Sequence, residues 1–316
     1  MIIGTRGSKL ALSQAEKVAH LLKDLGIETS LKIIHTSGDL FTDRPLHTVS
    51  SGFGAFVREL DDVILAEKID IAVHSMKDVP TIRPDLLSTT AVLKRDTPFD
   101  IFLTYDGTTL DELSEQSIIG TSSLRRAAQI KRYRPDLIIQ DLRGNIDTRL
   151  RKLREGQYDG ILLAKAGLER LGWAVEGEIL SPEFFCPSPN QGTVAVVTKT
   201  GTEAEIAVSK LDHPESRIVT EIERILISEL GGGCTTPLGS YAEIAPYGKQ
   251  ISVQAEVLSL NGQETIRIDD FIPMFGGIEK ARELGQRLVK MGGRKLAEEA
   301  LLQLSRDSYN FGDSCD

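Results

Sequence analysis

The chain has 316 residues, with 37 Lys and Arg against 46 Asp and Glu, a formal charge of −9 that argues against a broad nucleic-acid or anionic-membrane surface. Its 41% hydrophobic and 26% charged residues are those of a folded globular protein, with room for two or three domains at ~100–200 residues each. No apolar run approaches the ~18 residues of a spanning helix, no basic and apolar leader follows Met1, and Cys186, Cys234 and Cys315 are too few and too scattered for a disulfide framework, so a cytoplasmic protein is expected.

Ile2-Ile3 predicts a short buried strand. Leu12, Ala15, Ala19, Leu22 and Leu25 share one stripe of a helix that Gly26 stops. A strand at 31–35, a helix at 56–68 with Phe56, Leu60, Val63 and Ile64 inward, and a strand at 70–75 complete two βαβ-like units. Such units imply a parallel or mixed sheet. The pattern restarts after Lys94-Arg95-Asp96-Thr97-Pro98, with strand 118–120, helix 123–132, strand 137–141, helix 146–155 and strand 159–164. The proline-rich stretch 182–192, ending in Asn190-Gln191-Gly192, reads as a crossover, and a strand at 193–198 is expected to return to the first sheet. From 214 onward the order changes to a helix at 215–229, the run Gly231-Gly232-Gly233-Cys234, strands at 251–258 and 264–271, and one long helix at 277–304. The expected domains are 1–93 plus 193–212, 98–188, and 214–316, the last a small α+β unit.

Several chemistries lack their motifs. The five histidines have no metal-ligand spacing, there is no C-x-x-C, and no G-x-S-x-G, P-loop or G-x-G-x-x-G occurs. No metal is expected. What stands out is a charge reversal: residues 121–154 carry ten basic side chains against Asp136, Asp141 and Asp147. Lys131, Arg132, Lys152 and Arg154 read as solvated helix faces. Arg125 and Arg126 differ, because they follow Gly120-Thr121-Ser122-Ser123, where a strand end feeds a helix N-terminus and free N–H groups favour anions. Arg143-Gly144-Asn145 closes the next strand in the equivalent place. Arginines at successive strand ends suit a ligand with many carboxylates or phosphates. His74-Ser75-Met76-Lys77-Asp78-Val79-Pro80 is a second strand end, whose Lys and Asp are either a site or a weak surface pair. Cys234 is either a thiol opened to approach by three glycines or a small core residue.

Seven strings in order give a resemblance: G-T-R-G-S-K-L-A-L-S-Q at 4–14, D-I-A-V-H-S-M-K-D-V-P at 70–80, G-T-S-S-L-R-R at 120–126, L-R-G-N-I-D-T-R-L at 142–150, D-G-I-L-L-A-K-A-G-L-E-R-L-G at 159–172, Q-G at 191–192 and G-G-C-T-T-P-L-G-S-Y-A at 232–242. From end to end the chain resembles the hydroxymethylbilane synthase (porphobilinogen deaminase) family. The resemblance implies two periplasmic-binding-protein-like (type II) α/β domains with a cleft between them, plus a small C-terminal α+β domain. It implies an enzyme of tetrapyrrole (haem) biosynthesis, a transferase and a monomer, that joins four porphobilinogens head to tail with loss of ammonia. A dipyrromethane cofactor, held by a thioether to Cys234, primes growth, and hydrolysis releases the linear hydroxymethylbilane.

On the same resemblance Asp78 is the catalytic aspartate and also touches the cofactor, whose carboxylates are held by Ser75, Lys77, Thr121, Ser122, Ser123, Arg125 and Arg126. Arg6, Ser8, Arg143, Gly144, Arg149, Arg170 and Gln191 face the incoming or elongating pyrroles. The polyanionic product accounts for arginine clusters in an acidic protein. Two departures stand out: Phe53 replaces a family lysine in a loop expected to cover the cleft, and Asn190 replaces a turn glycine, a position where Asn tolerates left-handed geometry. A two-lobed binding protein for a small anion would explain the arginines but needs neither Asp78 nor Cys234. A polyanion- or RNA-binding module is disfavoured by the charge and by only 5% aromatic residues.

Overall fold

The computed structural model describes residues 1–35, 55–81, 83–231 and 236–310, so Phe53, Cys234 and Cys315 lie outside the described residues. In chain order the elements are β1 (Ile2–Thr5), α1 (Lys9–Asp24), β2 (Ser30–Ile33), α2 (Ala55–Leu65), β3 (Ile71–Ser75), β4 (Leu87–Val92), β5 (Asp100–Thr104), β6 (Ile118–Gly120), α3 (Leu124–Tyr133), β7 (Ile138–Gln140), α4 (Ile146–Arg154) and β8 (Gly160–Ala164). They continue with α5 (Lys165–Arg170), β9 (Glu178–Ile179), β10 (Val194–Lys199), α6 (Glu203–Ser209), α7 (Pro214–Leu230), β11 (Leu238–Ile244), β12 (Gln250–Leu258), β13 (Thr265–Pro273), α8 (Gly277–Lys290) and α9 (Gly293–Asn310).

One compact unit comprises Met1–Pro98, Ala164–Val175 and Gln191–Ile218. Its sheet runs β2-β1-β3-β10-β4, with β1 parallel to β2 and β3, and β10 antiparallel to β3 and β4. The strand expected at 193–198 does return to the first sheet. α1 starts because Ser8 accepts from the Ala11 N–H at 3.3 Å, satisfying a donor that the first turn leaves unpaired. It buries Ala15, Val18 and Leu22 against Ile3, Ile71, Val73 and Val196. Each large apolar side chain buried in this way contributes roughly 2 kcal/mol. Leu25, expected on that stripe, lies exposed just past the last turn.

The second unit comprises Phe99–Leu163, Glu176–Asn190 and Val219–Asp316. Its five-stranded sheet runs β7-β6-β8-β5-β9, with β6 parallel to β7 and β8, and β5 antiparallel to β9. This order repeats that of the first sheet: three parallel strands, then a strand from elsewhere in the chain, then an edge. The likeness reaches single bonds. Asp70 accepts from the Ile2 N–H that opens β1, and Asp159 accepts from the Ile118 N–H that opens β6, both at 2.6 Å. The third sheet is the antiparallel meander β11-β12-β13, with α8 against β13 and α9 against β12. The architecture is therefore two α/β sheets of the expected class and a small α+β layer. The single long helix expected at 277–304 is two helices, because Gly292 adopts φ +99°, which breaks the helical path. Among the described residues no helix is long and apolar enough to cross a membrane, and no three His, Cys, Asp or Glu are grouped to hold a metal.

Candidate active site

In the first unit β3 ends at Ser75 and passes into a single 3-10 turn, Met76–Asp78. The turn is fixed at both sides. The Met76 N–H donates to Thr193 O on the neighbouring segment at 2.9 Å, and Val79 N–H closes back on Met76 O at 3.1 Å. Met76 and Val79 are buried with Ala195, so the turn rests on two apolar pegs. Ser75 accepts from Gln14 Nε2 at 2.9 Å, Lys77 is half-buried, and Asp78 is exposed. Behind them lies His74, buried in β3, whose Nε2 has no partner among the described residues. Burial, then the positive charges of Arg83 and Arg6, push its imidazole down to about 3, so it is neutral at physiological pH.

Other predicted residues of this unit have protein partners. Ser8 caps α1. Arg170, at the end of α5, donates from Nε to Asp96 at 2.7 Å and from Nη2 to Gly192 O at 2.6 Å. Gln191 is buried, donates from its side-chain Nε2 to Pro98 O at 2.8 Å, and accepts at its backbone carbonyl from Arg95 Nε at 2.9 Å. These bonds lace the segments at 95–98 and 191–192 together.

In the second unit β6 ends at Gly120 and α3 begins after Ser123, whose side chain caps no N–H. Thr121 is buried and its hydroxyl accepts from Ser123 N–H at 3.2 Å, while Ser122 donates to Leu142 O at 2.9 Å. The N-terminal turn of α3 thus presents hydroxyls and backbone donors with the partial positive end of the helix behind them. Arg125 and Arg126 lie in that turn and share one carboxylate. Arg125 Nη2 donates to Asp100 Oδ2 at 2.7 Å and Arg126 Nη2 to Asp100 Oδ1 at 2.6 Å. Arg125 is only 4% exposed and also donates to Gln129 and Cys186 O, so protein acceptors surround it. Arg126 donates to Leu162 O at 3.0 Å, and its Nε is buried with no acceptor among the described residues.

At the end of β7, Arg143 lies near Asp141 at 3.2 Å, and Arg149 on α4 donates from Nε to Gly144 O at 2.8 Å. Burial and the charge of Arg126 lower the Arg149 guanidinium to about 10, which leaves it a cation at neutral pH. The whole set is cationic and rich in N–H and hydroxyl donors, which is chemistry for several carboxylates.

The chain matches two family models, described as "Porphobilinogen deaminase, dipyromethane cofactor binding domain" over residues 1–207 and "Porphobilinogen deaminase, C-terminal domain" over residues 218–291. The chain belongs to the porphobilinogen deaminase family. It is 79% identical over 313 residues to a probable porphobilinogen deaminase of Methanosarcina barkeri, covering 99% of both chains. It is also 79% identical over 318 residues to the probable porphobilinogen deaminase of Methanosarcina mazei, covering 100% of both. Membership in this family sets aside the non-catalytic binder that the arginines alone allowed.

For a porphobilinogen deaminase the geometry adds residues that sequence patterning did not mark. Asp100 organises both arginines from the first position of β5, and its signal is a lone acid opening an otherwise apolar strand. Gln14 orients Ser75 from the buried face of α1, where a polar residue among apolar neighbours was the cue. Asp96 engages Arg170 and Lys17. Asn190 adopts φ +60°, the left-handed conformation expected of it, and donates from its backbone and side chain to Glu223 at 2.6 and 3.3 Å.

Proposed function

We propose that the chain is a hydroxymethylbilane synthase that joins four porphobilinogens head to tail with loss of ammonia and releases the linear product by hydrolysis. The observation that carries this reading is the donor set at the strand ends: the α3 N-terminus with Ser122, Ser123 and Arg126, and Arg143 and Arg149 beside it, in a chain matched by the family over nearly its whole length. The same set fits a dipyrromethane, because the unpartnered Nε of Arg126 and the uncapped first turn of α3 call for acceptors that carboxylates supply. We assign Ser75, Lys77, Thr121, Ser122, Ser123 and Arg126 to holding that group, with a thioether to Cys234, which lies outside the described residues. When bound, it supplies an electron-rich pyrrole carbon as the starting end of the chain.

Asp78 is the residue we assign to chemistry. A carboxylate at the tip of a fixed turn can assist proton transfer to the departing amine, accepting and returning the proton, and as the anion stabilises positive charge developing on a pyrrole nitrogen. Arg6, Arg143 and Arg149 hold the acetates and propionates of incoming and elongating pyrroles, and the first turn of α1 beyond Ser8 adds backbone donors. Arg125, Arg170 and Gln191 act by holding their segments in place, since their side chains are engaged with Asp100, Asp96 and Pro98. We take the enzyme to work as a cytoplasmic monomer of three domains, one around each sheet.

Intact mass of the purified chain tests the reading. The expected mass exceeds that of the sequence by one dipyrromethane, and peptide mapping places it on Cys234. Cys186 should be bare, because it is buried and burial holds its thiol well above the ordinary range, where no thiolate forms. A bare Cys234 in active protein, or an adduct on Cys186 or Cys315, would overturn the assignment.

A further inference from the structure

Glu256 lies on β12 of the third sheet and is fully buried. Its Oε1 accepts from Gln129 Nε2 of α3 at 2.7 Å, and its Oε2 accepts from Arg132 Nη1 at 2.9 Å and Arg267 Nη1 at 3.2 Å. Gln129 is also fully buried. Its Nε2 donates a second time to Cys186 O at 2.8 Å, and its Oε1 accepts from Arg125 Nη1 at 2.8 Å. From Arg125 the bonds continue through Asp100 to Arg126. An unbroken buried path therefore runs from the third sheet to the cation assigned to ligand carboxylates. The contact is reinforced where the β12–β13 turn meets α3. Gly262, at φ +73°, sits so close to Ala128 O and Arg132 N that any side chain there would strike the helix backbone.

The polarity of this path is fixed from the Glu256 end. A carboxylate and a backbone carbonyl only accept, so together they turn the Gln129 amide with its NH2 toward them and its oxygen toward Arg125. With the amide reversed, two donors would face one another at Arg125, and the guanidinium would leave Asp100 and release its hold on Arg126. Arginines 125 and 126 meet on Asp100, and 132 and 267 on Glu256, with Arg267 also paired to Asp269.

We propose that Glu256 is a positioning residue which, through Gln129, Arg125 and Asp100, aims Arg126 and the first turn of α3 at the ligand's carboxylates. The proposal rests on the cofactor-holding role assigned to Arg126 above: a primer whose carboxylates are poorly held presents its acceptor pyrrole out of register for the next porphobilinogen, which couples the small third layer to substrate affinity. Glu256→Gln is expected to raise the KM for porphobilinogen about 5-fold while kcat stays within about 2-fold, the pattern of lost ground-state binding. The fraction of chain carrying dipyrromethane, read by intact mass, should fall, while cooperative thermal melting is kept. In an Arg126→Gln background, Glu256→Gln should change KM by less than about 2-fold, because coupled residues are not additive. Gln129→Met cuts the same path without touching a charge and should repeat the KM effect. An unchanged KM in either cooperatively folded variant, or equal factors in both backgrounds, would overturn the proposal. So would failure of both variants to melt cooperatively, which would make the path purely structural. The unmutated chain is measured first, and if it lacks both the dipyrromethane mass and porphobilinogen consumption, the functional reading fails instead.

Discussion

Asp78 is exposed while its neighbours Met76 and Val79 are buried, so the backbone that carries it is anchored independently of the carboxylate. Asp78→Asn should leave melting unchanged and lower kcat about 100-fold or more, with KM little altered, since a neutral amide keeps the shape but neither carries a proton nor stabilises positive charge. Steady-state kinetics check this, and a near-normal kcat would make Asp78 merely structural. His74 gives a pH prediction. Its folded value of about 3 lies below the ordinary 6.5, so between these values the unfolded chain binds a proton that the folded chain refuses. Its contribution to stability is complete above 6.5 and is lost as pH falls toward 3, at up to about 1.4 kcal/mol per pH unit. Urea unfolding between pH 7 and 4.5 should therefore be less steeply pH-dependent in His74→Gln than in the natural chain. Equal slopes would show that the imidazole does not titrate in this way.

At the scale of elements, two residues named as substrate contacts hold structure. Ser8→Ala removes the N-cap of α1 and should cost about 1 kcal/mol in urea unfolding, whatever it does to KM. Arg170 joins α5 to Asp96 and to the backbone at Gly192, with only 7% of its side chain exposed. Arg170→Ala leaves Asp96 without one of its two cations and should destabilise the fold by about 2–3 kcal/mol, while Arg170→Lys recovers only part because lysine cannot bond both acceptors at once. A KM effect with unchanged unfolding free energy would return Arg170 to the ligand. Glu256 shows why such roles escape pattern reading. In 251–258 the apolar residues fall at alternate positions, so Glu256 takes the solvent face of an isolated strand. Packing of α3 on that face buries it, and a strand's own periodicity contains no record of what covers it.

For the molecule as a whole, chain growth moves a lengthening polyanion past fixed cations, and the site must serve several stages. Arg149 lies within about one helical turn, roughly 6 Å, of the α4 N-terminus, and Gly144 O fixes its Nε. Arg149→Ala should keep its covalent dipyrromethane but accumulate complexes carrying one to three further pyrroles, resolved by anion exchange or mass spectrometry. A uniform slowing with no accumulated stage would exclude an elongation role for Arg149.

Fold class, the paired α/β patterns and the strand-end motifs were legible in the order of residues, because period, turn chemistry and helix starts are local. So were Asp78 and the arginines of 125–149, since charge at a strand end shows in one string. Periodicity marks none of β4, β5 and β11 and runs 277–304 as one helix across Gly292, because neither pairing partners nor φ is written in composition. Only the tertiary structure decided which arginines are already spoken for. Arg125 and Arg170 are bound by Asp100 and Asp96, residues 25 and 74 positions away, and Gln129 meets Glu256 across 127. A guanidinium at a strand end attracts any anion, and whether that anion is a ligand or another part of the chain depends on what the fold brings within bonding distance.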